Sequence, residues 1–157
     1  LLLGSNLGDK LSYLASARIA IEKQIGTIIQ SSKIYKTSAW GLESQADFYN
    51  QVILIESKTP PILVLKIIHQ IEADLDRKRI KKWAERSIDI DILYYDNQII
   101  DSEIPDLHIP HLLLHERKFT LIPLVEIAPN FIHPRLGKTN LELIEICQDP
   151  LDVRPIN

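Results

Sequence analysis

Two stretches of helical periodicity, each entered and left through β-branched runs, restrict this chain to a small set of layered folds. In the first, Leu7, Leu11, Leu14, Ile21 and Ile25 share one helical face behind a candidate cap at Asn6 or Asp9, and Gly26 marks the stop. In the second, Pro60 and Pro61 suit a first helical turn, and Leu65, Ile68, Ile71 and Leu75 line up behind them. The leucine opening, TIIQSSKIYKT at 27–37, FYNQVILIES at 48–57 and SIDIDILYYD at 87–96 read as strands.

The order is therefore β-α-β followed by β-α-β. Two such units build an α+β, ferredoxin-like sandwich with an antiparallel or mixed sheet and its helices on one face. DNQ at 96–98 is expected to turn the acidic strand back on NQIID as an added hairpin, and SAWGLESQAD between the second and third strands is a loop. From Pro105 onward, prolines punctuate short helices and loops, with TNLELIEIC the clearest C-terminal helix. Without repeats, linkers or low-complexity segments, residues 1–157 are expected to form a single domain.

A chain of this length can bury about two thirds of its unfolded surface, so it needs no staples. Its single cysteine, Cys147, excludes an internal disulfide or a cysteine-built zinc site and suits a small apolar position in the last helix. No apolar run is long enough for a membrane span and no secretory signal is visible, which leads to an expected cytoplasmic location without membrane partners. The opening Leu1-Leu2-Leu3 lacks an initiator methionine, and the expectation is that a few residues precede it.

Charge is unevenly placed. Residues 77–86, RKRIKKWAER, carry a local +5 inside a chain of net −3, so the remainder sums to −8. That points to a localised anion site rather than a nucleic-acid surface, which spreads positive charge over a face. Immediately downstream, Ile88, Ile90 and Ile92 alternate with Asp89 and Asp91. The two carboxylates share one strand face, about 6.6 to 6.8 Å apart along the chain, and can converge on one Mg²⁺ ion or two neighbouring ones. The same pattern also describes the wet face of a half-buried strand.

There is no glycine-rich phosphate loop of either common type among the five glycines, so any phosphate must be held by side chains and metal. Arg77, Arg79, Lys81, Lys82 and Arg86 are placed to do so, although a charge run by itself is also an ordinary solvated loop. Trp83 within that run can cover a planar ligand. Farther on, His111 can donate to a phosphate, Arg117 adds a cation and Phe119 an aromatic face. His108, His111 and His115 lack a fourth partner at recognisable spacing, which argues against zinc.

In order, GSNLGD, YKTSAWG, Q-x-x-FYN, RxRxxKW, SIDIDIL, IPH, LHERxF and PLVEIAP make the whole chain resemble the 6-hydroxymethyl-7,8-dihydropterin pyrophosphokinase family. The resemblance implies transfer of the pyrophosphoryl group of ATP to a pterin alcohol in folate biosynthesis, releasing AMP. It implies that Asp89 and Asp91 hold two Mg²⁺ ions, that Arg77 and Arg86 act catalytically, and that Arg79, Lys82, Trp83, His111 and Arg117 contact the nucleotide. Phe48 and Phe119 resemble the pair that sandwiches the pterin ring, with Thr37, Leu42, Asn50 and Trp83 completing the pocket. The segment 76–86 resembles a lid that closes over both ligands and excludes water.

Departures from the family pattern concentrate around the nucleotide. Ala84-Glu85 replaces a usual Gly-Pro, Lys82 a usual arginine and Asp76 a usual glycine, and His69 takes a place often held by glutamine, with Glu72 matching the family's acid. Nothing demands an oligomer, and a monomer is expected. Two other readings use the same residues: another Mg²⁺-dependent phosphoryl or nucleotidyl transferase, which would release ADP or pyrophosphate, and a non-catalytic binding module in which the acid pair and basic loop are ordinary surface.

Overall fold

A computed structural model describes residues 1–38, 46–75 and 87–156. Leu42, Arg77, Arg79, Lys82, Trp83 and Arg86, together with the departures Asp76, Ala84 and Glu85, lie outside the described residues. The main sheet contains β1 (Leu2–Ser5), β2 (Thr27–Ser31), β3 (Tyr35–Thr37), β4 (Phe48–Glu56), β5 (Asp89–Asp91) and β8 (Val153–Pro155). Its order is β5-β1-β4-β3-β8, with β2 also paired to the long β4, and every one of these pairings is antiparallel. Helices α1 (Lys10–Gln24) and α2 (Pro61–Asp74) follow β1 and β4 as the periodicity requires. The ferredoxin-like expectation holds, and the antiparallel alternative is the one adopted.

Both faces of the sheet are covered, where one was expected. On the first, Leu14, Ala17 and Ile21 of α1 and Val64, Ile68 and Ile71 of α2 pack on Leu3, Ile53, Ile88 and Ile90 in one aliphatic core. On the second, Leu121 and Leu124 of α3 (Lys118–Ile127) and Leu143 of α4 (Asn140–Ile146) pack on Leu2, Val52 and Leu93. Burying each such aliphatic side chain contributes about 1.5–3 kcal/mol, so the larger first core holds the frame. Cys147 closes α4 and packs at the edge of the second core, as an apolar residue.

Several local expectations are revised. Helix α1 starts at Lys10 behind Asp9, whose side chain accepts from Ser12 N–H at 3.1 Å; Leu7 therefore precedes the helix and Leu11 sits on its first turn, leaving them 42% and 47% exposed. The single strand read over 27–37 is two, because Ser32 and Gln51 replace ladder bonds where β2 gives way to β3: Ser32 Oγ accepts from Val52 N–H at 3.0 Å and Gln51 Nε2 donates to Ser32 O at 2.8 Å. The acidic strand spans only Asp89–Asp91, and the following chain leaves the sheet to take His111 N–H on Leu93 O at 3.0 Å. Consequently β6 (Ile100–Glu103) does not return on it but pairs with β7 (Asp106–Ile109), a strand the proline spacing concealed.

Gly26 is where α1 must turn under the end of β4. A Cβ there would lie 2.1 Å from the Glu56 carbonyl oxygen, a backbone atom that cannot step aside.

Candidate active site

The site is assembled across the second face of the sheet. Register pairing sets Asp89 opposite Gly4, Gly4 opposite Asn50 and Asn50 opposite Tyr35, a transverse row in four adjacent strands. The next row on that face carries Asp91, Leu2 and Val52. Because side chains two apart on a strand share a face, Asp89 and Asp91 lie on the side of the smaller core while Ile90 points into the larger one. Both carboxylates are half-buried, the setting in which a charge is neither fully hydrated nor stranded.

Edge strand β5 is held from outside by Glu72. That residue is 3% exposed on α2, and its Oε1 accepts the Ile90 N–H at 2.9 Å, between the two aspartates. A carboxylate bonded to a backbone donor here completes an edge that no further strand covers among the described residues. His69, three residues earlier, lies on the exposed side of α2.

Asn50 is buried and donates through Nδ2 to Thr37 Oγ1 at 3.0 Å. Gly4 makes room for it: an added Cβ would meet Asn50 Oδ1 at 3.0 Å. Phe48, opposite Thr37 and two residues from Asn50, is half-buried on the same face. Thr37, Phe48 and Asn50 thus lie together on one face of β3 and β4.

A further group of candidate residues comes from 111–119, the chain that runs into the start of α3, with His111 close enough to the acidic strand to feel Asp89. Burial pushes the His111 imidazole down to about 4, the Arg117 guanidinium adds to the effect and the Asp89 carboxylate opposes it. His111 Nδ1 accepts the Leu113 N–H at 3.2 Å, which places the proton of the neutral ring on Nε2. Arg117 lies 5.6 Å from the centroid of the Phe119 ring, and Phe119 packs on the rim of the second core. His108 does not join them; it bridges Asp101 at 3.1 Å and Asp106 at 3.3 Å on the β6–β7 hairpin. No cluster of three or more His, Cys, Asp or Glu that could cage a metal occurs among the described residues. Gly4 had no assigned role in the sequence reading, although its place in GSN opposite the strand of Asn50 is the kind of signal that could have suggested one.

Residues 1–129 match the model of the family described as 7,8-dihydro-6-hydroxymethylpterin-pyrophosphokinase. A 2-amino-4-hydroxy-6-hydroxymethyldihydropteridine pyrophosphokinase of Aquifex aeolicus is 40% identical over 132 residues, covering 84% of this chain and 81% of that protein. The Haemophilus influenzae protein of the same name is 38% identical over 133 residues, with 84% and 82% covered. Folic acid synthesis protein FOL1 of Dictyostelium discoideum is 44% identical over 137 residues, 87% of this chain but 20% of that much longer one. In fold, the chain is similar to Plasmodium falciparum HPPK-DHPS, with a TM-score of 0.73 at 17% identity, over 92% of this chain and 43% of that one. It thus spans less than half of the solved chain it resembles.

Proposed function

Since the chain belongs to the 7,8-dihydro-6-hydroxymethylpterin-pyrophosphokinase family, a pyrophosphoryl transferase of folate synthesis that uses ATP, we propose that Asp89 and Asp91 hold two Mg²⁺ ions against the ATP phosphates. The observation that carries this assignment is the pairing of two half-buried carboxylates on one face of β5, in line with Asn50 across the sheet. The donor set fits. A hard dication that keeps several waters and takes its other ligands from phosphate needs one or two carboxylates rather than a closed cage. When bound there, Mg²⁺ supplies charge to offset the triphosphate and the charge that develops on transfer.

The protein's own groups then align the reactants. The neutral His111 donates Nε2–H to a phosphate oxygen, and Arg117 contributes a fixed cation beside it. Phe48 and Phe119 stack the pterin, while Thr37 and Asn50 hydrogen-bond its polar edge. The hydroxymethyl oxygen attacks the β-phosphorus, its proton passes to solvent, and AMP leaves, so the chemistry rests on alignment and charge rather than a covalent intermediate. Arg77 and Arg86 complete the phosphate contacts in this reading, Glu72, His69, Arg79, Lys82 and Trp83 the nucleotide side, and Leu42 the pterin pocket. The working unit is a monomer.

Phosphorus NMR of the protein with ATP, Mg²⁺ and 6-hydroxymethyl-7,8-dihydropterin tests the assignment. AMP and a pterin diphosphate are expected in the full mixture, neither without the pterin, and only traces with Asp91→Ala. Undiminished product from a folded Asp91→Ala protein would remove the metal role of this strand.

A further inference from the structure

Helix α3 begins without a cap of its own. Its N-cap residue is Arg117, whose side chain makes no capping hydrogen bond, and the first-turn N–H groups of a helix need acceptors. The acceptor comes instead from far along the chain. Asp149, 6% exposed, takes the Lys118 N–H on Oδ2 at 2.9 Å and the Leu151 N–H on Oδ1 at 3.0 Å. Its negative charge also faces the positive end of the α3 dipole. Lys118 sits between Arg117 and Phe119, the two residues this end of the helix offers to the ligands.

The same tail then reaches the other wall of the pocket. Past Leu151 it forms β8, which pairs with β3 and sets Val153 opposite Thr37, the residue that accepts from Asn50. Asp149 and β8 therefore fasten both sides of the pterin site to one short segment, which lies beyond the residues matched by the family model.

We propose that Asp149 is a positioning residue for this reaction: by capping α3 from the C-terminal tail it fixes where Arg117 and Phe119 stand relative to Thr37 and Asn50. The proposal rests on Arg117 and Phe119 being ligand-contacting groups, as assigned above. A cap is worth enough that its loss shifts a local equilibrium roughly tenfold, and ligands that need the aligned wall then bind through a minor population.

The test compares Asp149→Ala, Asp149→Asn, Lys118→Pro and Phe119→Ala in steady-state kinetics and in equilibrium binding of the pterin. Lys118→Pro deletes the donor while leaving Asp149 in place; proline is favoured at a first helical position, and the extended Arg117 backbone (φ −121°, ψ 112°) accepts a following proline. Asp149→Ala and Lys118→Pro are each expected to raise KM for pterin roughly tenfold with kcat changed less, their double variant no more than either alone, and Asp149→Asn to restore most of the affinity because asparagine is an equally good acceptor. Unchanged pterin affinity in both Asp149→Ala and Lys118→Pro, beside a clear loss in Phe119→Ala, would overturn the positioning role alone. Unchanged affinity in Phe119→Ala would instead take away the site assignment on which it rests. If Asp149→Ala does not fold, Lys118→Pro decides: wild-type affinity in that variant overturns the proposal.

Discussion

The two faces of the sheet are built from the same strands and do opposite things. Toward α1 and α2, Leu3, Ile53, Ile88 and Ile90 meet aliphatic side chains and exclude water. Toward α3 and α4, the neighbouring positions on those strands include Asp89, Asp91, Asn50 and Gly4, beside Leu2 and Val52, which with Leu93 pack beneath helices. Moving one residue along β5 exchanges a core residue for a metal-type carboxylate. The difference teaches how one small sheet can serve two purposes: the aliphatic face supplies the stability, and the polar face proposed to carry the chemistry inherits its register from the same strands.

Variants of each face should separate the two roles. Asp89→Ala or Asp91→Ala is expected to lower turnover at least about a hundredfold while urea midpoints stay near wild type; an equal loss of stability would erase the distinction. Glu72→Ala is expected to do some of both, because Glu72 belongs to α2 but holds β5 from outside. Leaving the Ile90 N–H without an acceptor should cost about 1–3 kcal/mol in chemical unfolding and raise the Mg²⁺ concentration for half-maximal rate. Ile68→Val, deep in the first core, should cost about 0.5–1.5 kcal/mol with kcat unchanged, measured by the same unfolding series and initial rates.

The smallest effect concerns acid. His133, in the chain between α3 and α4, is buried and accepts the Arg135 and Leu136 N–H groups on Nδ1 at 3.2 and 3.3 Å. Burial first, then the nearby His115, holds its imidazole below the usual histidine range. The unfolded chain therefore binds this proton more readily than the folded one. Its contribution is fully present above the ordinary value of about 6.5 and is lost as pH falls below it. Unfolding free energy measured between pH 8 and 5 should fall with acidification, with His111 contributing in the same direction, and His133→Asn should reduce that slope.

Much of this was legible from the sequence. The β-α-β order, Asp9 as one of two candidate caps, Pro61 opening α2 and the shared face of Asp89 and Asp91 follow from short-range periodicity and cap chemistry. The C-terminal third was harder to read. Pro123 lies inside α3 and hides its periodicity, and β8 is three residues, two of them exposed, that form a strand by pairing with the edge of β3.

The sequence by itself determined which residues could carry the reaction, because residue type and spacing of two along a strand or three to four along a helix are local properties. Tertiary structure alone decided who supports them. That Glu72 would bond Ile90, that Gly4 would clear space for Asn50 and that Asp149 would cap a helix begun 31 positions earlier depend on contacts between distant segments. Such contacts arise from sheet register and helix docking, and no local pattern encodes them.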